Sequence, residues 1–483
     1  MALFPWRNKG ESEPTKLNRQ NLNAAEELKN TQIEKGEIPI GVAGLPGSVE
    51  IGGPAPTGVA ATDTTNVKAT LKAAGEAKGV AVFNKGGVYS INEELTRPPG
   101  TSVYIGPGTT IRAAASMTCL LTDSAATKDK DQSLLGGGTL DSNKLAAHAL
   151  WCRYFQHMTL GVKCANSLED DVILGSEEAA GASVEPILTE TFLVRREYTA
   201  TSKGFSCVNA TRASDGRVYG SSVAGQETGL RLSASSGGWR TFGLHPIGSG
   251  STFQPMQVCV DDGSSDSEHF GVNCDTPTPA THVGATGSSS STTITDAEIL
   301  ANHLRRPVSG TNIPAGCYVG TVTPGVSFTL VNIENIGVKP TGAVSGVTLA
   351  GVGVLARGES CSVNGNIYVS PTYGVDNGCY GIVFAFGSTN GRVLGWTAKG
   401  GSSSFRITQA ITGVLSAVTW SAVAQVFCVN TIAPWQPTSG GYNFTGTREE
   451  IEPIIATLSK GTRWTWNVTS PGGSLLTIES KQV

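Results

Sequence analysis

The middle of the chain repeats one pattern of apolar and polar positions. A glycine and alternating apolar residues are followed by a short polar stretch, a bulky apolar residue and a closing glycine. Copies occupy residues 161–175, 204–220 and 229–243, and a looser copy covers 258–271. Repetition at this spacing is typical of a solenoid, and the apolar stretches alternate and are too short for helices. We therefore predict a β-solenoid.

The copies also predict which side chains stack. Every second side chain of a strand lies on the same face, so stacked copies place the alternating apolar residues in shared columns. The predicted columns are Val162 with Phe205 and Leu230, Cys164 with Cys207 and Leu232, and Leu174 with Tyr219 and Phe242. The first two columns face inward. The closing glycines Gly175 and Gly220 are about twice as far apart as the later ones, which predicts one further turn within 176–203.

The segment before the repeats combines a helix pattern with strand patterns. Asp63 or Thr64 is suited to cap a helix over about 65–77, whose inward residues are Val67, Leu71 and Ala74. Strand patterns follow at 80–83, 86–89 and 101–105, and a Gly-Gly-Thr-Leu-Asp run ends at Asp141.

This order of motifs resembles the start of the pectate-lyase-like right-handed parallel β-helix superfamily. The Ala-Thr-Asp capped helix, the Gly-Gly-Val-Tyr strand, the Pro-Gly turn at 107–108 and the Gly-Gly-Thr-Leu-Asp strand carry the resemblance. It covers about 58–279 and implies a right-handed parallel β-helix there. The superfamily includes lyases, hydrolases and phage tailspikes, so the fold implies no single activity.

The N-terminal region predicts a docking helix. Residues 15–34 carry a narrow apolar stripe that includes Leu17, Leu22 and Leu28, which a lone helix cannot bury. The run from Pro14 to Asn23 is similar to the leading helix of phage minor tail and tail-fibre proteins. The resemblance implies that 1–40 attaches to tail-tip or baseplate proteins, that 41–57 is a linker, and that the protein is a homotrimer.

Two further β regions are predicted after the repeats. Residues 280–350 resemble a small β-module inserted in many phage tail proteins, with an Ile-Pro-Ala-Gly run at 313–316 and a strand at 327–330. We interpret this module as a spacer. Residues 351–483 are rich in strand patterns and hold five of the eight tryptophans, which predicts a C-terminal antiparallel β-sandwich of jelly-roll type. The predicted fold class is therefore all-β.

Composition excludes several classes of function. The net charge of −4 gives no sign of a nucleic-acid surface, and no run of apolar residues is long enough to span a membrane. The start of the chain shows no apolar signal-peptide core, so we expect no signal peptide. The ten cysteines form no C-x-x-C pair, so we expect free buried thiols and no metal site. No cofactor is predicted, and no motif supports Ca²⁺.

Candidate catalytic residues are few. Glycan cleavage requires carboxylates on both sides of one glycosidic bond, or a base beside a uronate. The paired aspartates Asp170–Asp171 and Asp261–Asp262 are weak candidates, because such pairs in turns are more often solvated turn residues. The Gly-His-Gly motif of the polygalacturonase branch is missing after Asp170–Asp171, which weakens the hydrolase interpretation.

Aromatic residues suggest glycan contacts. Trp151 and Arg153 form a candidate sugar platform, although we favour core packing for Trp151. Trp435, beside Pro434, and Tyr373, beside a glycine and near Pro371, are candidate sugar-stacking rings on loops.

The leading hypothesis is a structural virion protein. It would be a phage tail fibre or tailspike-like minor tail protein, made in the host cytoplasm and located in the virion tail. It would attach to a host-surface glycan or receptor through 351–483. The alternative is a tailspike depolymerase that acts on host envelope glycan as a polysaccharide lyase or glycoside hydrolase. We expect binding rather than catalysis.

Overall fold

A computed structural model describes residues 49–368 apart from short gaps. The gaps lie at 124–128, 131, 157, 176–186, 190–193, 196–203, 248–255, 276, 315 and 333–334. Further on it describes 379–385, 388 and the strands at 392–399, 405–412, 425–428, 440–443, 463–467 and 473–481. The predicted helix at 15–34, Tyr373 and Trp435 lie outside the described residues.

A single α-helix, α1 (Ala60–Glu76), occurs in the described part of the chain and covers one end of the core. Val67, Leu71 and Ala74 are buried, as predicted. The predicted cap is wrong, because the helix begins three residues before Asp63 and its N-cap residue is Val59, whose side chain caps nothing. The Asp63 carboxylate instead accepts N–H groups of Thr57 (2.7 Å) and Ser90 (3.0 Å), which ties the helix start to the neighbouring strand.

The rest of the fold is β, which confirms the all-β prediction. A first sheet contains ten strands that pair in parallel, each with the next one along the chain in that sheet. They are Leu95–Arg97, Met117–Asp123, Ala146–Cys152, Val172–Leu174, Ser206–Ala210, Thr228–Leu232, Val258–Asp262, Gly351–Ala356, Cys379–Phe384 and Phe405–Thr412. Two antiparallel strands, Gly473–Lys481 and Arg463–Asn467, complete it.

A second sheet contains most of the strands that lie between these along the chain. Its strands are Glu50–Gly52, Val80–Phe83, Gly87–Ile91, Ser102–Ile105, Thr109–Ala113, Ser133–Asp141, Met158–Ala165, Ile187–Thr189, Val194–Arg195, Arg217–Tyr219, Ser222–Ala224, Arg240–Phe242, His245–Ile247, Glu268–Asp275, Ser362–Tyr368, Arg392–Lys399, Gln425–Cys428 and Gly440–Asn443. Nearly all pair in parallel, and the final pair is antiparallel. Asp129–Lys130 and Phe155–Gln156 form a separate parallel pair.

An aliphatic column runs through the first sheet and forms the centre of the core. Nine residues occupy equivalent positions on successive strands, and all are at most 3% exposed. They are Leu95, Leu121, Leu150, Val172, Val208, Leu230, Val260, Val354 and Ile382. The chain returns to the same position at each pass, so apolar surface is buried between neighbouring passes.

The predicted columns were largely wrong, because the repeat mixed strands of the two sheets. Leu230 aligns with Val208 in the first sheet, whereas Val162 belongs to the second sheet and Phe205 is only half-buried. Cys207 precedes Val208 in the first sheet, whereas Cys164 aligns with Leu140 in the second.

The third predicted column was right only in part. Tyr219 aligns with Phe242 as predicted, but Leu174 lies in the first sheet. Gly175 therefore follows a first-sheet strand and Gly220 follows a second-sheet strand. Their wide spacing reflects this difference. Between Val172–Leu174 and Ser206–Ala210, which pair directly, the first sheet has no further strand.

A closed antiparallel barrel interrupts the parallel sheets at the predicted β-module. Its strands are Ala280–Gly287, Thr293–Thr295, Pro307–Ser309, Cys317–Thr323, Ser327–Val331 and Val344–Leu349, with a 3₁₀ turn at Ala301–His303. Ile294, Phe328 and Leu349 lie in its core. The spacer interpretation is wrong, because the strands before and after the barrel pair directly, with Val260 opposite Val354. The barrel is an insertion on the side of the parallel sheets.

The predicted C-terminal sandwich does not begin at residue 351. Strands Gly351–Ala356, Ser362–Tyr368, Cys379–Phe384 and Arg392–Lys399 extend the two parallel sheets. Antiparallel pairing is confined to later strands, such as Phe405–Thr412 with Gly473–Lys481. The alternating apolar pattern of these strands suits either arrangement. The buried column that has reached Val260 favours continuation of the parallel sheet, because Val354 and Ile382 extend it.

Within the described residues, no helix is long and apolar enough to cross a membrane. The eight cysteines whose side chains are described are buried and free, as expected.

Candidate functional site

The outward face of the first sheet carries a second column, which we call the outer column. It consists of Trp151, Ile173, Asn209, Arg231 and Asp261, which pair in register on five successive strands. Each lies beside buried inward neighbours, so strand alternation places it on the opposite face. The first four are partly exposed, and Asp261 is covered. The outer column therefore forms a surface track that ends where the barrel begins.

A cleft lies at the end of the outer column, between the first sheet and the barrel. We call it the arginine cleft; it has a volume of about 260 Å³. Its lining residues are Arg231, Leu232, Ser233, Ala234, Asp261, Gly263, Asn302, Leu304, Arg305 and Arg357. The sheet supplies Arg231 and Asp261, the barrel supplies Asn302 and Arg305, and Arg357 follows the strand Gly351–Ala356. The inserted barrel thus completes the cleft.

Asp261 holds two of the arginines in place. The Arg357 guanidinium donates to both carboxylate oxygens, through Nε to Oδ1 (2.7 Å) and through Nη2 to Oδ2. Arg231 Nε lies 3.5 Å from Oδ2, and its Nη1 donates to the Gly204 carbonyl (3.0 Å). A two-pronged arginine–carboxylate contact is both strong and geometrically restrictive. Asp261 therefore positions the arginines and is not a free general base.

Beneath the cleft, a buried polar cluster joins the barrel to the sheet. Glu227 accepts hydrogen bonds from His303 Nε2 (3.0 Å), from the Asn302 amide (2.9 Å) and from the Gly204 N–H (2.7 Å). Arg306 Nη1 lies 3.6 Å from the same carboxylate. All three ionisable side chains are at most 2% exposed. A buried charge requires such partners, so this cluster fixes the barrel in one position.

The protonation states within the cluster are set by burial and by hydrogen bonds. Burial alone would raise the pKa of Glu227, but its contacts with His303 and Arg306 outweigh burial and lower that pKa to about 2. Burial lowers the pKa of His303. The Leu300 N–H donates to His303 Nδ1 (3.2 Å), so Nε2 carries the proton that Glu227 accepts. Burial also lowers the pKa of Arg306 to about 10. At neutral pH, Glu227 and Arg306 are charged and His303 is neutral.

The aspartate pair Asp170–Asp171 has a structural role. Asp170 accepts the Ser206 N–H (2.5 Å) and the Asn209 amide (2.8 Å), and Asp171 accepts the Ser167 N–H (3.2 Å). Both side chains are buried, at 7% and 0% exposure. Their hydrogen bonds connect turns and neighbouring strands, which leaves no open side from which a substrate could approach.

Asp262 points to the opposite side of its strand from Asp261 and lies in the core. Oδ1 accepts from the Ser264 N–H (2.9 Å) and hydroxyl (2.6 Å), and Oδ2 accepts from Ser267 and from His269 Nε2 (3.0 Å). Thr241 Oγ1 lies 3.1 Å from His269 Nδ1. The threonine–histidine–aspartate chain has the connectivity of a hydrolase triad. It is completely buried, so no substrate reaches it.

The same cluster is the one place in the described residues where three potential metal ligands converge. Asp262, His269 and Cys361 have ligand atoms within 4.8 Å of one another, and all three are buried. The Asp262 carboxylate already accepts four hydrogen bonds, however. Burial would raise its pKa, but the hydrogen bonds from His269 and the two serines lower it. The network is complete without a cation, so we assign it a structural role.

Trp151 is both packed and partly exposed. Its indole Nε1 donates to the Gly175 carbonyl (2.9 Å), and the Arg153 guanidinium lies 4.0 Å from the ring centroid. The Arg153 N–H donates to Asp123 (2.5 Å). One ring face is therefore occupied by a cation–π contact. Trp151 and Arg153 lie at one end of the outer column, and the arginine cleft lies at the other end. The sequence did not predict that one column joins the two.

The predicted alignment of Tyr219 with Phe242 is part of a longer aromatic stack on the second sheet, which also includes Phe270. Tyr219, Phe242 and Phe270 lie on adjacent strands with ring centroids 5.1 Å and 5.6 Å apart and interplanar angles of 9° and 14°. Tyr219 is 37% exposed. The rings cover one another's faces and present mainly their edges, so the stack stabilises the sheet. A glycine after each ring was the available sequence signal.

Searches against family models, curated proteins and solved structures each returned no match to this chain. The functional argument therefore rests on the geometry described above.

Proposed function

We propose that the protein is a phage tail fibre or tailspike-like minor tail protein that attaches the virion to the host surface. The observation that carries the proposal is the nine-residue aliphatic column of the first sheet, from Leu95 to Ile382. At about 4.8 Å per strand, its eight intervals span about 38 Å. A stack of this kind makes a stiff shaft. In this proposal the two sheets are faces of a right-handed parallel β-helix.

The ends of the chain supply the other functions of a tail fibre. Residues 1–40 dock to tail-tip or baseplate proteins, and three copies of the chain assemble side by side. A host-contacting surface lies within residues 351–483, with Trp435 and Tyr373 as candidate sugar-stacking rings. These assignments rest on the sequence patterns of these segments.

The described carboxylates favour binding over catalysis. Asp170, Asp171 and Asp262 are buried and saturated with hydrogen bonds, and Asp261 is held by Arg357. Glycoside hydrolysis needs an acid and a second carboxylate on opposite sides of a bound sugar. The arginine cleft contains only Asp261 among its lining residues, so it is suited to hold a ligand rather than to cleave one.

Three measurements test this proposal. Fluorescently labelled protein should bind cells of the bacterial host and compete with phage adsorption, and mass spectrometry of purified virions should detect it in the tail. Incubation with host envelope glycan should release neither reducing ends nor unsaturated uronates. Absence from virions together with no binding to host cells would refute the attachment role. Release of cleaved glycan would instead support the depolymerase alternative.

The oligomeric state has a separate test. Light scattering of the full-length protein should give the mass of three chains, with the N-terminal helix intact. A monomer at micromolar concentration would count against trimerisation by residues 15–34.

A further inference from the structure

We infer that the arginine cleft binds an oxyanion, a carboxylate or a phosphate, carried by a sugar of the host envelope glycan. The inference deepens the proposed function and depends on it for the host glycan as carrier. The recognition of the anion itself depends only on the cleft. Charge balance, free donors and cleft size support it.

Charge balance favours an anion. Four guanidinium groups surround the cleft and its floor, from Arg231, Arg305, Arg306 and Arg357, and they face the carboxylates of Asp261 and Glu227. Among the residues that line the cleft, arginines outnumber carboxylates by three to one. Burial and the neighbouring Arg357 lower the pKa of Arg305, which shows that like charges meet here. In a partly desolvated site, an incoming anion relieves this repulsion.

Arg357 has hydrogen-bond donors left for a ligand. Its Nε and Nη2 are used by Asp261 and by the Asn302 carbonyl. Its Nη1 makes no hydrogen bond to any described residue and is not a buried atom. Arg357 lines the cleft, so the two N–H groups of Nη1 are the donors of this guanidinium that are left for a ligand. The planar guanidinium matches the oxygen spacing of carboxylates and phosphates, and Asp261 already occupies the opposite edge of the same group in that way.

The size of the cleft limits what enters it. A volume of about 260 Å³ lies just below the range of about 300–1,000 Å³ that is typical of small-molecule pockets. It suits one charged sugar rather than an oligosaccharide. The neighbouring sugars would lie along the outer column, where Trp151 is three strand spacings from Arg231, about 14 Å. The partly exposed Ile173 and Asn209 lie between them.

Isothermal titration calorimetry on the full-length protein tests the inference. The probes are a hyaluronan tetrasaccharide, which carries carboxylates, glycerol 3-phosphate, and the neutral maltotetraose. At 20 mM NaCl we expect binding of at least one anionic probe and none of maltotetraose, and at least tenfold weaker binding at 200 mM NaCl because screening shortens the electrostatic range. The anionic probe that binds identifies the type of anion.

Variants separate the cleft from general surface charge. Arg305→Gln removes a guanidinium that lines the cleft without touching Asp261, and it should weaken anion binding at least tenfold. The matched control, Arg240→Gln, removes an arginine whose ion pair with Glu268 lies on the second sheet (2.8 Å, both side chains about 40% exposed), and it should change affinity less than twofold.

Two results would overturn the inference. These are no binding of either anionic probe at 20 mM NaCl, and equal weakening of anion binding by Arg305→Gln and Arg240→Gln. Host-cell binding that persists while anion binding fails would reject the cleft and leave the attachment role intact. Anion binding by a protein that does not attach to host cells would reject attachment and retain the anion site.

Discussion

Replacing Glu227 by glutamine should release the barrel from the first sheet. The substitution preserves shape but removes the charge that faces His303 and Arg306 at the floor of the cleft. The pKa of Glu227 falls from 4.5 to about 2 in the folded protein, and each pKa unit corresponds to about 1.4 kcal/mol, so the ionised carboxylate contributes about 3 kcal/mol. The same magnitude is expected when one partner of a buried ion pair is removed.

The pH dependence of this contribution has a definite sign. The folded-state pKa lies below the unfolded one, so the stabilisation is fully present above pH 4.5 and is lost as the pH falls towards 2. The lowered pKa of His303 acts in the same direction, because the unfolded chain takes up its proton first as the pH falls below 6.5. The difference in the free energy of unfolding between wild type and Glu227→Gln should therefore fall by roughly half between pH 7 and pH 3.

Urea unfolding followed by tryptophan fluorescence measures this difference. Hydrogen exchange of peptides covering 299–309 should quicken in Glu227→Gln, because these residues form the barrel side of the contact. The control is Glu268→Gln, whose exposed pair with Arg240 should contribute at most about 1 kcal/mol. Equal effects of the two substitutions at pH 7 would refute the reasoning. If the loss of stability in Glu227→Gln is as large at pH 3 as at pH 7, it results from altered packing rather than from the lost charge.

Three further predictions concern the sheets. Leu150→Ala, in the aliphatic column, should lower the free energy of unfolding by about 2–5 kcal/mol, whereas Leu168→Ala, at a position 42% exposed, should change it by less than about 0.5 kcal/mol in the same urea assay. Gly175→Ala should be more destabilising than Gly220→Ala in thermal melts. Both glycines have positive φ, which costs another residue about 1–2 kcal/mol, but a Cβ on Gly175 would lie 1.7 Å from the Thr211 carbonyl oxygen, whereas Gly220 is open. Thiol reagents should label few cysteines in the native protein and most of the ten in urea, because the described thiols are buried; labelling of fewer than half in urea would indicate disulfides.

The alternation of apolar residues was informative about strands but not about their partners. The strands around Leu230 and Tyr219 were visible as apolar stretches that end in glycine. Both sheets use similar stretches, so the pattern did not distinguish a first-sheet strand from a second-sheet strand. The pattern consequently aligns Val162 with Leu230, although the two residues belong to different sheets.

The site illustrates the same limit. Asp261 and Asp262 are adjacent in sequence, and only strand alternation separates their roles, with Asp261 outward against Arg357 and Asp262 inward against His269. Arg357 lies almost one hundred residues from Asp261. No sequence spacing predicts their contact, because the barrel occupies most of the intervening chain and the strands on either side of it pair directly.

The sequence alone determined the all-β character, the inward face of helix α1 and the approximate position of the inserted β-module. Each follows from local periodicity, turn residues and short-range propensity. Tertiary structure decided the register of the sheets, the continuation of the parallel strands beyond residue 351 and the assembly of the arginine cleft. These depend on contacts between residues 22 to 96 positions apart, which form only when successive passes of the chain bury a common apolar column.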